Sequence, residues 1–153
     1  DTKLDPQLPD GSDLVGKSAN ANASNAYEIF KREFKDLIDD PHNIMRPLWA
    51  STSTKNPSFS PTLYVDELLA KHSVNTLPVA TIEAIRNSDG DYPSVDLDDN
   101  ADSYAKTLGE IEKLVNLESI MQELEDEGVE SFKKSYQSCL DSIEARLAQF
   151  STK

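Results

Sequence analysis

Cysteine is nearly missing: Cys139 is the only one in 153 residues, so no internal disulfide and no thiolate zinc cluster can form within the chain. That usage fits a reducing cytoplasm. Positive charge is scarce as well. Fifteen basic residues stand against 28 acidic ones, and a net charge of -13 repels nucleic-acid backbones and anionic lipid headgroups alike. Neither nucleic acid nor membrane is an expected partner. No run reaches the roughly 18 consecutive apolar residues that a membrane-spanning helix needs. The opening DTKLDPQLPDGSD also lacks the basic region, apolar run and cleavage site of a secretion signal. The same acidic field opposes a small anionic substrate, so any phosphate site must be a local patch of amides, hydroxyls and one or two cations. His42 and His72 have no cysteine or second histidine at ligand spacing, which argues against a metal.

What the sequence does contain is a hydrophobic content of 37%, enough for a core, arranged in alternating short runs and helical stripes. After an aperiodic stretch rich in Pro, Asp and Gly, Gly11-Ser12-Asp13 offers a helix start. Val15, Ala19, Ala23, Ala26, Tyr27, Phe30 and Phe34 then recur at helical spacing, predicting an amphipathic helix from Leu14 to Phe34. Breakers follow from Asp39 to Asn43. The run Arg46 to Ser51 is too brief for a helix and reads as a buried strand, after which Ser60-Pro61 opens a helix to Ala70. The unit repeats with a strand over Ser73 to Leu77 and a helix over Pro78 to Ile85. This order is that of a parallel α/β fold, but two strands cannot close or cover such a sheet. Neighbours from elsewhere are expected, N-terminal to this piece because it opens inside a connection. An acidic loop is expected from Asp89 to Asn100. Three helices then follow: one from Ala101 to Val115, one capped by Asn116, and one with an apolar stripe from Val129 through Phe132, Tyr136, Leu140, Ile143 and Leu147 to Phe150.

Chemistry concentrates in Trp49-Ala50-Ser51-Thr52-Ser53-Thr54-Lys55-Asn56-Pro57. There a strand discharges into four consecutive hydroxyl residues, a lysine and an amide. The loop after a parallel strand faces the active-site side of an α/β fold, and hydroxyls, amides and one ammonium together can hold a phosphate. A plain solvated strand-to-helix loop has the same composition. The bland readings also cover Cys139, as a partly buried small side chain, and the acidic runs at 89–100 and 123–127. The first run lacks the alternating ligands and terminal glutamate of a calcium-binding hand.

The stretch from Arg46 to Ile85 resembles the penultimate and final strand-helix units of bacterial transaldolases, through WAST-x-x-KNP, TLYV-x-EL and VNT-x-P. GKSANANASNAYEIF, residues 16–30, is similar to the helix preceding that pair, and EGVESFKKSYQSCLDSIEARL, residues 127–147, to the family's closing helix. The resemblance implies the C-terminal portion of a (β/α)8 barrel. Residues 1–87 would hold its last strand-helix units, and residues 88–153 an acidic loop and helices packed on the barrel. It further implies transfer of a dihydroxyacetone unit between sugar phosphates, through a Schiff base, in the non-oxidative pentose phosphate pathway. The family's Schiff-base lysine and acid-base groups lie on earlier strands, so no catalytic residue, metal or cofactor is expected within this chain, which alone would be inactive. Ser51 is then the first candidate for a phosphate ligand and Lys55 a cation beside it. Thr52, Thr54, Asn56 and Thr76 either touch substrate or shape the loop. The expected partners are sugar phosphates and the N-terminal half of the barrel, on the same or a separate chain. The alternative is a non-catalytic helical interaction module using the terminal stripe.

Overall fold

A computed structural model describes residues 1–38, 40, 44–88, 90, 92 and 97–151. Helix α1 runs over Ser18–Phe34, strand β1 over Leu48–Trp49, α2 over Leu63–Leu68, β2 over Val74–Asn75 and α3 over Val79–Arg86. Helix α4 spans Leu97–Ile111 and α5 spans Leu117–Ser151. The chain divides into two compact units, Asp1–Val115 and Asn116–Lys153. Most of the expected break at Asp39 to Asn43, and most of the expected acidic loop, lies outside the described residues.

Helix α1 begins four residues later than its periodicity predicts. Gly16 takes a left-handed φ of 75°, and the Phe59 ring lies 2.8 Å from where a Cβ would project, so the chain turns sharply there. Asp5 Oδ1 accepts the Gly16 amide hydrogen at 3.1 Å. The first turn of α1 is then capped from a distance, because Asp1 Oδ1 accepts the Ala19 amide hydrogen at 3.0 Å and the Ser18 hydroxyl at 2.5 Å. The inward face also differs from the predicted stripe. Ser18, Asn20, Ala21, Ser24, Tyr27 and Phe30 are buried, whereas Val15 is exposed, as is Ala26.

Small side chains on that face let α4 pack closely against α1. The core there is built from Tyr27, Phe30, Trp49, Leu68 and Leu97. Leu97, only 1% exposed, opens α4, so the segment Leu97 to Asn100 is helical where an acidic loop was expected. Burying an apolar side chain at that position is worth about 1.5–3 kcal/mol and outweighs the polarity of its neighbours. A polar bridge crosses the same layer. Glu67 Oε2 on α2 accepts Asn20 Nδ2–H at 2.5 Å from α1 and the Tyr104 hydroxyl at 3.3 Å from α4.

Helix α2 is shorter than the Pro61 to Ala70 span predicted for it. Ser60 closes a turn instead of capping, its carbonyl taking the Leu63 amide hydrogen at 3.2 Å. At the far end Leu69 leaves helical geometry so that the chain can turn into β2. In the second unit one helix replaces the two expected. Asn116 does cap it, Oδ1 accepting the Ser119 amide hydrogen at 3.1 Å. No proline follows, and the single Gly128 costs only about 1 kcal/mol relative to alanine, so α5 continues for 35 residues. Its stripe from Val129 to Phe150 is exposed, Phe132 by 81%, and Cys139 is exposed rather than partly buried. No described helix is long and apolar enough to cross a membrane.

Replacing Gly16 by alanine must strain the left-handed turn and displace the Phe59 ring. The expected loss is about 1–3 kcal/mol in urea unfolding. An unchanged urea midpoint would show that the turn does not order α1. Burial, then the neighbouring Glu67 charge and hydrogen bond, push the Tyr104 phenol up to about 12. Because the folded value is raised, the stabilisation from neutral Tyr104 is present below pH 10 and lost as pH rises through about 12. Tyr104→Phe should flatten the alkaline fall of the urea midpoint across that window, measured against the parent chain.

Candidate functional site

The two strands pair in parallel, Leu48 with Val74 and Trp49 with Asn75, as the strand-helix repeat predicts. Trp49 is buried, and its indole Nε1–H donates to the Leu68 carbonyl at 3.0 Å, fixing β1 against the end of α2. Tyr27 performs a matching task from α1, its hydroxyl donating to the Lys71 carbonyl at 2.8 Å just ahead of β2. These two bonds anchor β1 and α1 to the segment between α2 and β2, and the strand ends themselves are joined by the bond from Thr76 N–H to the Trp49 carbonyl.

Beyond Trp49 the ladder departs from regularity. Val74 N–H donates to the Pro47 carbonyl and Thr76 N–H to the Trp49 carbonyl, each at 2.9 Å, and a regular parallel ladder would next send Ser51 N–H to the Thr76 carbonyl. Thr52 N–H occupies that acceptor instead, at 3.2 Å. Ser51 is thus an inserted residue with a left-handed φ of 51°, and its amide hydrogen goes to Thr76 Oγ1 at 3.0 Å. The Thr76 hydroxyl itself points to the Trp49 carbonyl at 3.4 Å. Thr52 is pinned from two more sides. Its hydroxyl donates to Asn75 Oδ1 at 2.7 Å, and its carbonyl accepts the Thr81 hydroxyl at 3.3 Å.

Ser51, Thr52 and Thr76 therefore form one hydrogen-bonded group at the strand ends, with Ser51 exposed. Lys55 and Asn56 belong to a different neighbourhood. They line a cavity of about 230 Å³ together with Asp1, Asp5, Phe59 and Tyr64. Lys55 Nζ donates to Ser53 Oγ at 3.2 Å, which folds the loop onto itself. Asn56 Oδ1 accepts the Ser58 amide hydrogen at 2.9 Å, the geometry of an asparagine turn, so this side chain shapes the loop. Thr54 is half-buried between the two neighbourhoods in sequence.

The cavity wall carries two carboxylates beside one ammonium, but Asp1 is committed elsewhere. Its Oδ1 caps α1 and its Oδ2 accepts the Tyr64 hydroxyl at 2.6 Å. Burial, followed by the nearby Asp5 carboxylate, raises the Tyr64 phenol above its ordinary value and keeps it a donor. Thr81 and Asn75 were not singled out from sequence. The signal was present in the positions of both, since Asn75 is the last strand residue and Thr81 lies in the first turn of the following helix, where it is 3% exposed. Among the described residues, no group of three or more His, Cys, Asp or Glu side chains is arranged to hold a metal ion.

Residues 1–143 match the family model described as Transaldolase/Fructose-6-phosphate aldolase. A transaldolase of Mycolicibacterium smegmatis is 40% identical over 158 residues, covering 96% of this chain and 42% of its own length. A transaldolase of Saccharopolyspora erythraea is 38% identical, covering 97% of this chain and 43% of its own. A protein named transaldolase 2, from Streptomyces avermitilis, is 36% identical with 96% and 42% covered. The chain thus spans a little over two fifths of the length of these curated relatives. Parallel strands ending in a hydroxyl-lined loop and a family pattern that runs through residues 1–143 lead to one conclusion: the chain belongs to the transaldolase/fructose-6-phosphate aldolase family.

Proposed function

We infer that this chain supplies the phosphate end of a transaldolase site, as the C-terminal portion of a (β/α)8 barrel. The supporting observation is the convergence of Ser51, Thr52 and Thr76 at the C-terminal ends of two parallel strands, where barrel enzymes place their chemistry. A sugar phosphate would lay its anionic group on the Ser51 hydroxyl. Lys55, further along the same loop, would add positive charge that the protein's net acidity does not provide, while Thr52, Thr54, Asn56 and Thr76 touch the substrate or shape the loop around it. Anchoring the phosphate fixes the distance from the sugar's carbonyl to the nucleophile, which is how remote binding energy serves the reacting centre.

The reaction proposed is transfer of a dihydroxyacetone unit between sugar phosphates in the non-oxidative pentose phosphate pathway. A lysine amine adds to the donor carbonyl, water leaves, and the resulting iminium draws electrons as the carbon–carbon bond breaks. That lysine and its acid-base partners belong to strands outside this chain. The N-terminal half of the barrel, on the same or a separate polypeptide, would supply them and cover the open edges of β1 and β2. On this reading residues 1–87 hold the last strand-helix units, and residues 88–153 pack on the barrel in a cytoplasmic enzyme. Family membership disfavours a purely adhesive role for the α5 stripe, because a helix closing on a barrel presents an apolar face for the same reason.

Borohydride reduction in the presence of fructose 6-phosphate tests this. The adduct should map to the N-terminal half of the full enzyme and leave residues 1–153 unlabelled, and a label on Lys55 would overturn the assignment. In the same enzyme Ser51→Ala should raise KM for fructose 6-phosphate by about 10- to 100-fold, the loss of one hydrogen bond to a charged group, with kcat within a few-fold. Ser51→Gly removes the hydroxyl and also relieves the left-handed backbone. It should raise KM equally while changing stability by less than about 1 kcal/mol, which separates ligand loss from misfolding.

A further inference from the structure

The inserted residue creates an accounting problem that one side chain solves. Because Thr52 N–H has taken the Thr76 carbonyl, Ser51 N–H has lost its ladder acceptor. At this exposed strand end water alone would satisfy the Ser51 amide but would not fix the residue in the inserted position against the regular ladder, in which Ser51 would displace Thr52. Thr76 Oγ1 supplies a fixed acceptor, taking Ser51 N–H at 3.0 Å while its own hydrogen is directed at the Trp49 carbonyl at 3.4 Å. Thr76 therefore touches both sides of the insertion with one hydroxyl and with its own N–H on the Trp49 carbonyl. Insertions of this kind re-aim side chains beside active sites.

We propose that Thr76 is a positioning residue: its hydroxyl holds Ser51 as the inserted, left-handed residue of the β1–β2 ladder and so aims Ser51 at the substrate phosphate. The proposal rests on the phosphate-end reading for its substrate. It adds that Thr76 acts through Ser51 and not by contact with the anion. Asn75 and Thr81 support the neighbouring Thr52, at 2.7 and 3.3 Å, but leave the Ser51 amide to Thr76.

The test uses the full-length enzyme carrying Thr76→Val, which keeps the side-chain shape and removes the hydroxyl, and Thr76→Ser, which keeps the hydroxyl. Two probes report on the anion site: KM for fructose 6-phosphate and competitive inhibition by inorganic phosphate. Thr76→Val should weaken both by about 10- to 100-fold, as an ångström-scale misplacement does, and leave kcat within a few-fold. It should also speed hydrogen exchange at the Ser51 amide. Thr76→Ser should restore both probes and the amide protection. In combination with Ser51→Ala, Thr76→Val should add nothing further, since both act on one contact. Additive losses would mean that Thr76 meets the phosphate itself and would overturn the proposal. Equal losses in the valine and serine variants would overturn it too, by pointing to packing. If Ser51→Ala impairs phosphate binding and Thr76→Val does not, positioning fails while the phosphate-end reading stands. If Ser51→Ala has no effect on either probe, that reading fails, and the substrate part of the proposal fails with it.

Discussion

The bond from the Trp49 indole to the Leu68 carbonyl is the contact on which the site geometry depends. Strands of two residues contribute little pairing energy of their own, so their alignment must come from side chains. The last carbonyls of α2 have no partner inside the helix, and the indole N–H satisfies one of them while its ring fills the core beside Tyr27 and Phe30. Strand β1 is thereby fastened to the segment that leads into β2, and the separation of the two strands follows. The Ser51 insertion, the Thr76 hydroxyl and the Thr52 anchors all lie within a few residues of that fastening.

Electrostatics work at two scales. Across the whole chain 28 acidic residues outnumber 15 basic ones, a field unsuited to anions. In the cavity beside Lys55 the carboxylates are engaged in structure: Asp1 caps α1 and receives Tyr64, and Asp5 receives the Gly16 amide hydrogen. Hydrogen bonds of this kind disperse carboxylate charge over donors that have nowhere else to go. A local anion site and an acidic surface can therefore coexist, because the first depends on oriented N–H and O–H groups and the second on distant charge that salt screens.

Legibility from the sequence followed the range of the forces involved. The two strand-helix units and the Asn116 cap were readable because turn chemistry and local periodicity set them. The start of α1 was not, since Gly16 is held by Phe59 more than forty positions away and Asp1 caps from outside the helix. Leu97 was read as loop because its neighbours are acidic, whereas its burial against α1 is a tertiary fact. The stripe from Val129 to Phe150 was read as a helix separate from the one capped by Asn116, whereas the two are one helix, in which the small penalty of Gly128 is absorbed. At the site, the hydroxyl-rich loop was visible as composition. Ser51 as an inserted residue was not, because only the bond pattern between strands distinct in sequence reveals it, and the same holds for the grip of Thr81 on Thr52.

Trp49 is the only tryptophan in the chain, and it stands two residues ahead of Ser51 with 8% of its surface exposed. Its fluorescence is thus an intrinsic gauge of this corner. While the indole stays buried and hydrogen-bonded, its emission comes from a shielded environment and dissolved iodide cannot reach it. Any event that pries the strand ends apart wets the ring and shifts its colour toward red, with no dye attached and no other indole in this chain to confuse the signal.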